Sequence, residues 1–389
     1  MISFSKLLLN QSYYGDSLRY NAKAHGQTHG TVAGKGPIVV WNCTKACNLK
    51  CRHCYAEAIN TPTPNELNTD EAKKFMDDLV TYNVPVLLFS GGEPLFRKDI
   101  FELMAYGKEI GLRMVISTNG TLIDEAKAKK IKELGISYVG ISLDGLKEAN
   151  DLFRGIEGAY EKALQGFKNC RKVGQKTGLR LTLGKTTYKE LPKIFELIEK
   201  EKIPRVCFYH LVYSGRGSQI QNEDLTHEET RASVDYIIEK TLDFHKRGIE
   251  TEILTVDNHC DSIYLYNYLK EHDAAKAKAV LELLTVNGGN RSGIAISSVD
   301  WEGNVFIDQF TRDINLGNVR NQSFGEIWDG KENEFLQKLR NRKEYLTGRC
   351  AKCQWLDQCN GNFRARALST SDFWAPDPAC YLTDDEIGL

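Results

Sequence analysis

An α/β fold around six parallel strands is predicted for this chain of 389 residues by three observations. Short β-branched runs at 38–41, 86–89, 114–116, 138–141, 179–183 and 206–209 alternate with stretches of helical periodicity, the order that strand, helix, strand with right-handed crossovers requires. The composition, 41% hydrophobic and 26% charged, is that of a globular chain, and the length suggests two or three domains at roughly 100–200 residues each. Chemistry-bearing residues stand directly after several of the runs, where a barrel or open sheet gathers the carboxyl ends of its strands.

Taken in order, residues 1–36 are polar and Gly-rich (His25-Gly26, His29-Gly30, Ala33-Gly34-Lys35-Gly36), with only Phe4 to Leu9 apolar enough to dock; a partly helical N-terminal extension is expected. The core spans 37–260. Within it Asn68-Thr69-Asp70-Glu71 opens a helix carrying Phe75, Leu79 and Tyr82, and Gly135 ends one carrying Ile131 and Leu134. The stretch 223–290 reads as helix-rich, with a helix from Leu225-Thr226-His227-Glu228-Glu229 to about Gly248 and a helical bridge at 261–290. In the last part, 291–389, residues 293–299 and 305–307 flank Asp300-Trp301-Glu302-Gly303-Asn304 as a β-hairpin, and the tail from Arg349 is irregular and Cys-bearing.

Charge and hydropathy remove several classes of function. Net charge is −1, so nothing global attracts nucleic acid or an anionic membrane. No run approaches the ~20 apolar residues of a membrane span, and Met1 to Asn10 offers only Leu7-Leu8-Leu9 as an apolar run; a cytoplasmic protein is expected. Eleven cysteines in a long chain of that kind point to metal ligation or catalysis, not to disulfides.

After the first strand stands CxxxCxxC, formed by Cys47, Cys51 and Cys54. Three thiolates reach three corners of a cubane iron–sulfur cluster and leave the fourth iron open, whereas zinc generally takes four protein ligands. Cys43 lies outside the set, because Lys50 occupies the place of its third thiol, and it reads as a packed strand thiol. Near the end, Cys350, Cys353, Cys359 and Cys380 supply four thiolates, enough to close a second cubane, with zinc as the competing occupant. Cys170, Cys207 and Cys260 stand singly and read as ordinary buried thiols.

CxxxCxxC followed by an aromatic, on the loop after the first of six strands, resembles the radical S-adenosylmethionine (SAM) superfamily, which implies a partial (β/α)6 TIM-like barrel. The resemblance implies that SAM chelates the open iron and that one electron cleaves it to a 5′-deoxyadenosyl radical. Ser90-Gly91-Gly92-Glu93-Pro94 after the second strand is similar to the superfamily's GGEP loop, in which Glu93 would accept from the SAM amine. Ser117-Thr118-Asn119-Gly120 and Ser142-Leu143-Asp144-Gly145, after the third and fourth, resemble segments that meet the carboxylate and ribose, implying Ser117, Asn119, Ser142 and Asp144 as contacts. Arg154 is a candidate for the SAM carboxylate, Leu183 and Val206 for the adenine; a surface cation and two core apolar residues are the alternative. The tail resembles the SPASM/twitch type of iron–sulfur extension, opening with the hairpin. It lacks two thiols of the full SPASM pattern, with Phe363 and Asp308 in their places, and one auxiliary [4Fe-4S] cluster is expected.

Longer segments, among them Thr255-Val256-Asp257-Asn258-His259 and Trp374-Ala375-Pro376-Asp377-Pro378-Ala379-Cys380, resemble the haem-biosynthesis branch of NirJ, AhbC and AhbD. That likeness implies a sirohaem-derived iron tetrapyrrole as substrate, an external low-potential electron donor, and removal of acetate or propionate side chains from didecarboxysirohaem. Conversion of propionates to vinyls and a peptide-modifying SPASM maturase remain the alternatives. A broad apolar disc rimmed by carboxylates calls for aromatic walls and forked guanidinium donors, and Arg216, Arg291, Arg312, Arg364 and Arg366 are the candidates, each with an intramolecular ion pair as its other reading. His210 and His259 are candidates for the tetrapyrrole iron or a proton, although a lone His is more often neither.

Overall fold

The computed structural model describes residues 1–20 and 30–389; His25, Gly26 and His29 of the N-terminal extension lie outside the described residues. Among the described residues one sheet of eleven strands carries the molecule. Its strands are β1 (Ile2–Ser3), β2 (Ile38–Asn42), β3 (Leu87–Ser90), β4 (Met114–Thr118), β5 (Val139–Ser142), β6 (Thr177–Leu183), β7 (Arg205–His210), β8 (Glu252–Val256), β9 (Ile296–Val299), β10 (Asn304–Phe306) and β11 (Gly317–Asn318). From β2 to β8 the strands lie side by side in chain order, every pair parallel. At one end β1 adds antiparallel to β8, and at the other β9 runs parallel to β2 before β10 and β11 turn back. Residues of β2 through β8 all line one cavity, so the sheet wraps around it as a partial barrel whose edges, β1 and β11, do not meet.

The six expected strands are β2 to β7. The structure adds β8, which lies inside the stretch read as helix-rich. All five of its residues are buried, so both faces are covered and the run Glu252-Ile253-Leu254-Thr255-Val256 shows no alternation that separates a strand from a helix turn. The hairpin of β9 and β10 forms as expected, with Val299 opposite Val305. It is nevertheless continuous with the barrel, since Ile38 to Trp41 pair with Ile296 to Val299.

Local signals hold at the helix ends. Asn68 and Glu71 make a capping box on the helix Thr69–Thr81, and Thr226 and Glu229 make another on His227–Lys246. Phe75 and Leu79 are buried, Phe75 with its ring 5.5 Å from that of Trp41. The N-terminal extension is anchored by Phe4–Leu9 and by the Ser5 hydroxyl, which donates to Thr251 O at 3.3 Å. The helices Cys260–His272 and Ala274–Asn287 pack on one another and on the short helix Leu356–Cys359, which seats the cysteine-bearing tail against the barrel.

Arg366 ties the tail down. Its guanidinium holds Asp377 through two bonds of 3.0 and 2.8 Å and donates to Leu211 O at 3.1 Å and to Asp257 O, next to the ends of β7 and β8. Both side chains are fully buried. Arg366→Met leaves Asp377 buried without a counter-charge and is expected to lower stability by about 3–5 kcal/mol, read as a lower urea midpoint of the anaerobic holoprotein at unchanged slope; adding Asp377→Asn should recover part of the loss.

Candidate active site

The loop after β2 folds back on itself so that Cys47, Cys51 and Cys54 share one apolar nest with Leu49, Ala58, Ile156 and Ala159. Donors surround the sulfurs. Leu49 N lies 3.3 Å from Cys47 Sγ, Ala58 N 3.5 Å from Cys54 Sγ, Asn119 Nδ2 3.8 Å from Cys47 Sγ and Arg154 Nη1 3.6 Å from Cys51 Sγ. Burial pushes the Cys47 thiol up to about 12 and raises Cys51, so these thiols require a bound metal's charge to ionise. No group of three or more His, Cys, Asp or Glu among the described residues is arranged to hold a single metal ion. Three thiols ringed by N–H donors, with Cys43 turned away to the Ser90 carbonyl at 3.3 Å, suit a cubane with one open corner.

The GGEP loop meets this cluster loop backbone to backbone. Gly92 N donates to Thr44 O at 2.7 Å and Glu93 N to Ala46 O at 2.8 Å. A Cβ on Gly91, whose φ is +129°, would lie 2.5 Å from Thr44 O, and one on Gly92 2.2 Å from Ala46 O, so only glycine fits. The Glu93 carboxylate departs from the expectation: it is fully buried and accepts from Leu95 N, Thr118 Oγ1 and Asn119 N at 3.1, 2.7 and 2.7 Å. Burial pushes it up to about 7 against those three bonds. It braces the loops after β3 and β4, leaving the backbone of the partly exposed Gly91 and Gly92 to face a ligand.

At the next strand ends Asn119 holds Asn48 at 2.9 Å, while Ser117, Ser142, Asp144 and Arg154 line the cavity. Asp144 and Arg154 are an ion pair, with Asp144 Oδ1 also accepting Thr182 N at 2.5 Å. His53, inside CxxxCxxC and unremarked in the sequence, stacks on Phe153 at 4.4 Å, approaches Asp144 at 3.6 Å, and is lowered to about 4 by burial. Leu183 lines a side cleft with Phe153, Thr182 and Leu211 beside Asp144, a place for a flat ring. Val206 does not reach either space: it is fully buried in the main core, because alternation along β7 sends Val206 and Phe208 to the helices and Arg205 and Tyr209 to the cavity.

The cavity measures about 460 Å³ and is walled by Tyr14, Tyr138, Tyr209, Phe310 and Phe363. Of the substrate candidates it receives Arg291, His210 and His259. His210 is held by Asp261 at 2.8 Å; His259 is kept neutral by burial. The other four arginines are brackets. Arg216 donates to Cys51 O and Ala58 O at 2.9 and 3.0 Å. Arg312 lies 4.4 Å over Trp301 and reaches Ala56 O at 3.3 Å. Arg364 donates to Phe373 O and Ala375 O at 2.9 and 2.7 Å, and Arg366 binds Asp377. Irregular loops leave carbonyls without strand or helix partners, and a buried guanidinium fork is what satisfies them.

Four cavity arginines were not singled out in the sequence: Arg19, Arg113, Arg180 and Arg205. Arg19 and Arg205 share Glu252 at 2.6 and 3.3 Å. Among the described residues Arg180 donates to Ser117 Oγ alone, at 2.5 Å, and Arg113 lies 4.1 Å over Tyr14. Arg291 donates to the carbonyls of Gly30 and Thr31. Among the described residues Arg113, Arg180 and Arg291 make no salt bridge. An arginine within the apolar run Leu179-Arg180-Leu181 was the available signal.

The second cage gathers Cys350, Cys353, Cys359 and Cys380, and with them Cys260, around one small cavity. Gly289, with φ +64°, lets the helical bridge touch this loop, since a Cβ there would lie 2.2 Å from Cys359 O; Asn290 N donates to the same carbonyl at 3.0 Å. Cys170 and Cys207 are fully buried, away from both cages. After anaerobic reconstitution, each of Cys47→Ala, Cys51→Ala and Cys54→Ala is expected to lose about four irons per chain together with SAM cleavage, whereas Cys350→Ala should lose a similar number and retain SAM cleavage; iron analysis and 5′-deoxyadenosine quantitation check both.

Comparison with known proteins agrees with this geometry. The profile of the radical SAM superfamily matches residues 41–198, and that of the SPASM iron–sulfur cluster-binding domain residues 295–354. The Fe-coproporphyrin III synthase of Methanosarcina barkeri is 52% identical over 100% of this chain and 99% of its own length. The pre-heme d1 synthase of Dinoroseobacter shibae is 40% identical over 90% and 88%, and the AdoMet-dependent heme synthase of Nitratidesulfovibrio vulgaris 32% over 92% and 96%. Among solved structures, anSMEcpe with bound AdoMet and Cp18Cys peptide superposes with a TM-score of 0.69 at 20% identity, covering 90% of this chain and 94% of that one, a likeness of fold. No helix among the described residues is long and apolar enough to cross a membrane. The chain therefore belongs to the radical SAM superfamily, with a SPASM extension, in its haem-biosynthesis branch, as an enzyme whose cofactors are SAM and [4Fe-4S] clusters.

Proposed function

We propose that the enzyme removes acetate side chains from didecarboxysirohaem and releases an iron coproporphyrin. The observation that carries this is one aromatic-walled cavity, reached by the ends of the cluster-bearing strands, in which Arg113, Arg180 and Arg291 have no salt-bridge partner among the described residues. Half-buried cations left without acids are available to a ligand that brings the anions, and a tetrapyrrole bears several carboxylates around an apolar disc. The relative at 52% identity is an Fe-coproporphyrin III synthase. Coproporphyrins keep propionates and carry methyls, so acetates are the groups that go.

When bound, SAM and the open-cornered cluster supply a hydrogen-abstracting radical. The chain's own residues do the rest. Arg113, Arg180 and Arg291 fix the carboxylate rim, Tyr138 and Tyr209 wall the macrocycle, and the aromatic walls exclude water. His210 and His259 stand where a proton or the central iron can be met, and the Asp144–Arg154 pair together with Ser117 and Ser142 forms the side on which SAM is oriented. Reducing equivalents come from an external low-potential donor.

Anaerobic incubation with didecarboxysirohaem, SAM and dithionite, followed by mass spectrometry, is expected to show two successive losses of a carboxymethyl group with propionates retained. Loss of carboxyethyl groups, loss of CO2 to vinyls as in the heme synthases, or an unchanged tetrapyrrole overturns the proposal, the last in favour of a peptide substrate. Arg180→Met removes a charge-assisted contact of about 1.5–3 kcal/mol. It should weaken tetrapyrrole binding roughly 10- to 100-fold in absorbance titrations, at about 1.4 kcal/mol per tenfold, with iron content unchanged.

A further inference from the structure

The auxiliary cage holds five thiols where a cubane has four corners. Cys350, Cys353, Cys359 and Cys380 come from the tail. Cys260 comes from the barrel side, as the first residue of the helix Cys260–His272, and is fully buried. It lines the same cavity as the other four, with its thiol beside those of Cys359 and Cys380.

Asn362 fixes the position of Cys260. It sits in the turn just after Cys359, accepts from His259 N through Oδ1 at 2.7 Å, and donates through Nδ2 to Asn258 Oδ1 at 2.8 Å and to Cys260 Sγ at 3.2 Å. With a lone pair of its sulfur engaged by that amide, Cys260 has its S–H left to give. The four tail thiols already match the ligand count of a closed cubane. Corner ligands are held apart by the inorganic core, so a thiol in contact with two of them at once stands behind them. A fifth thiolate in the same buried cage would add like charge beside the four ligands.

We propose that Cys260 is a non-ligating member of the auxiliary iron–sulfur site, a positioning residue whose single S–H is shared between the thiolates of Cys359 and Cys380 and raises the reduction potential of the cluster they hold. Hydrogen bonds to cluster sulfurs stabilise the more negative, reduced state. The residue, three positions beyond Asp257 of the substrate cavity, thereby links the end of β8 to the second cluster.

The test uses the full-length chain carrying Cys47→Ala, Cys51→Ala and Cys54→Ala, so that only the auxiliary cluster is present. Adding Cys260→Ala is expected to leave about four irons per chain, to move the midpoint in a redox titration to more negative potential, and to shift the EPR g values of the reduced cluster. Cys260→Ser, which keeps a donor, should recover part of the shift. Loss of the irons in Cys260→Ala would make Cys260 a ligand and overturn the assignment; retained irons with an unmoved potential would reduce it to packing. Should the variants fail to fold, the unsubstituted holoenzyme exchanged into deuterated buffer provides the same decision through pulsed EPR: an exchangeable deuteron coupled to the auxiliary cluster is expected, and its absence overturns the proposal. Neither readout requires the tetrapyrrole.

Discussion

The meeting of two backbones at the carboxyl ends of β2 and β3 is the constraint on which the site depends. Gly91 and Gly92 bring the third strand-end loop segment within hydrogen-bond distance of Thr44 and Ala46, and a single methyl at either glycine would collide with a carbonyl. Because Thr44 and Ala46 are the residues that launch the turn bearing Cys47, the spacing of the three thiols is set by main chain, which has no rotamers to lose. Glu93 then converts this contact into a three-loop assembly by accepting from Thr118 and Asn119, and Asn119 returns to Cys47 and Asn48. The loops after β2, β3 and β4 are thus one unit.

A second constraint acts on charge. Arginines are used in two ways in this molecule, and burial alone does not separate them. Arg364 and Arg366 are fully buried and Arg216 and Arg312 half-buried, yet all four are consumed by carbonyls, a ring or Asp377, whereas Arg113 and Arg180, also half-buried, are short of partners. What distinguishes the groups is the secondary structure around them. In the irregular tail, carbonyls outside the helix and strand ladders take up the guanidinium of Arg364, and those of Leu211 and Asp257 take up that of Arg366. In the sheet the carbonyls are already paired in the ladder, so Arg180, projecting inward with no acid beside it, meets a hydroxyl and stays available to a ligand, whereas Arg205 is taken up by Glu252.

This difference also explains what the sequence reveals. The six strands of the core, the helix starts at Asn68 and Thr226 and the hairpin around Gly303 are legible because each is written in local pattern. The thiols of the first cage are legible because they come from one short loop whose spacing is itself the geometry. β8 is not, since a strand covered on both faces loses its period of two. Arg216, Arg312, Arg364 and Arg366 suggest substrate contacts when only their donor chemistry is known, and the carbonyls they bind are separated from them by up to 256 residues, as for Arg312 and Ala56. Cys260 stands alone in the sequence for the same reason: its neighbours Cys359 and Cys380 are brought to it by the pairing of the bridge helices with the tail.

The two cages therefore differ in how they are built, and the difference follows from their chemistry. A site that must leave an iron open for a ligand gains from rigidity, and its three thiols come from one loop clamped by main-chain bonds and by the Arg216 fork on Cys51 O and Ala58 O. A site that is closed by its own ligands has no need of such a clamp, because the cluster itself cross-links the segments carrying Cys350, Cys353, Cys359 and Cys380. The small tail has few regular elements with which to bury apolar area, so in the closed site the metal group is part of the fold, and the buried contacts of Arg364, Arg366 and Asn362 are the protein's complement to it.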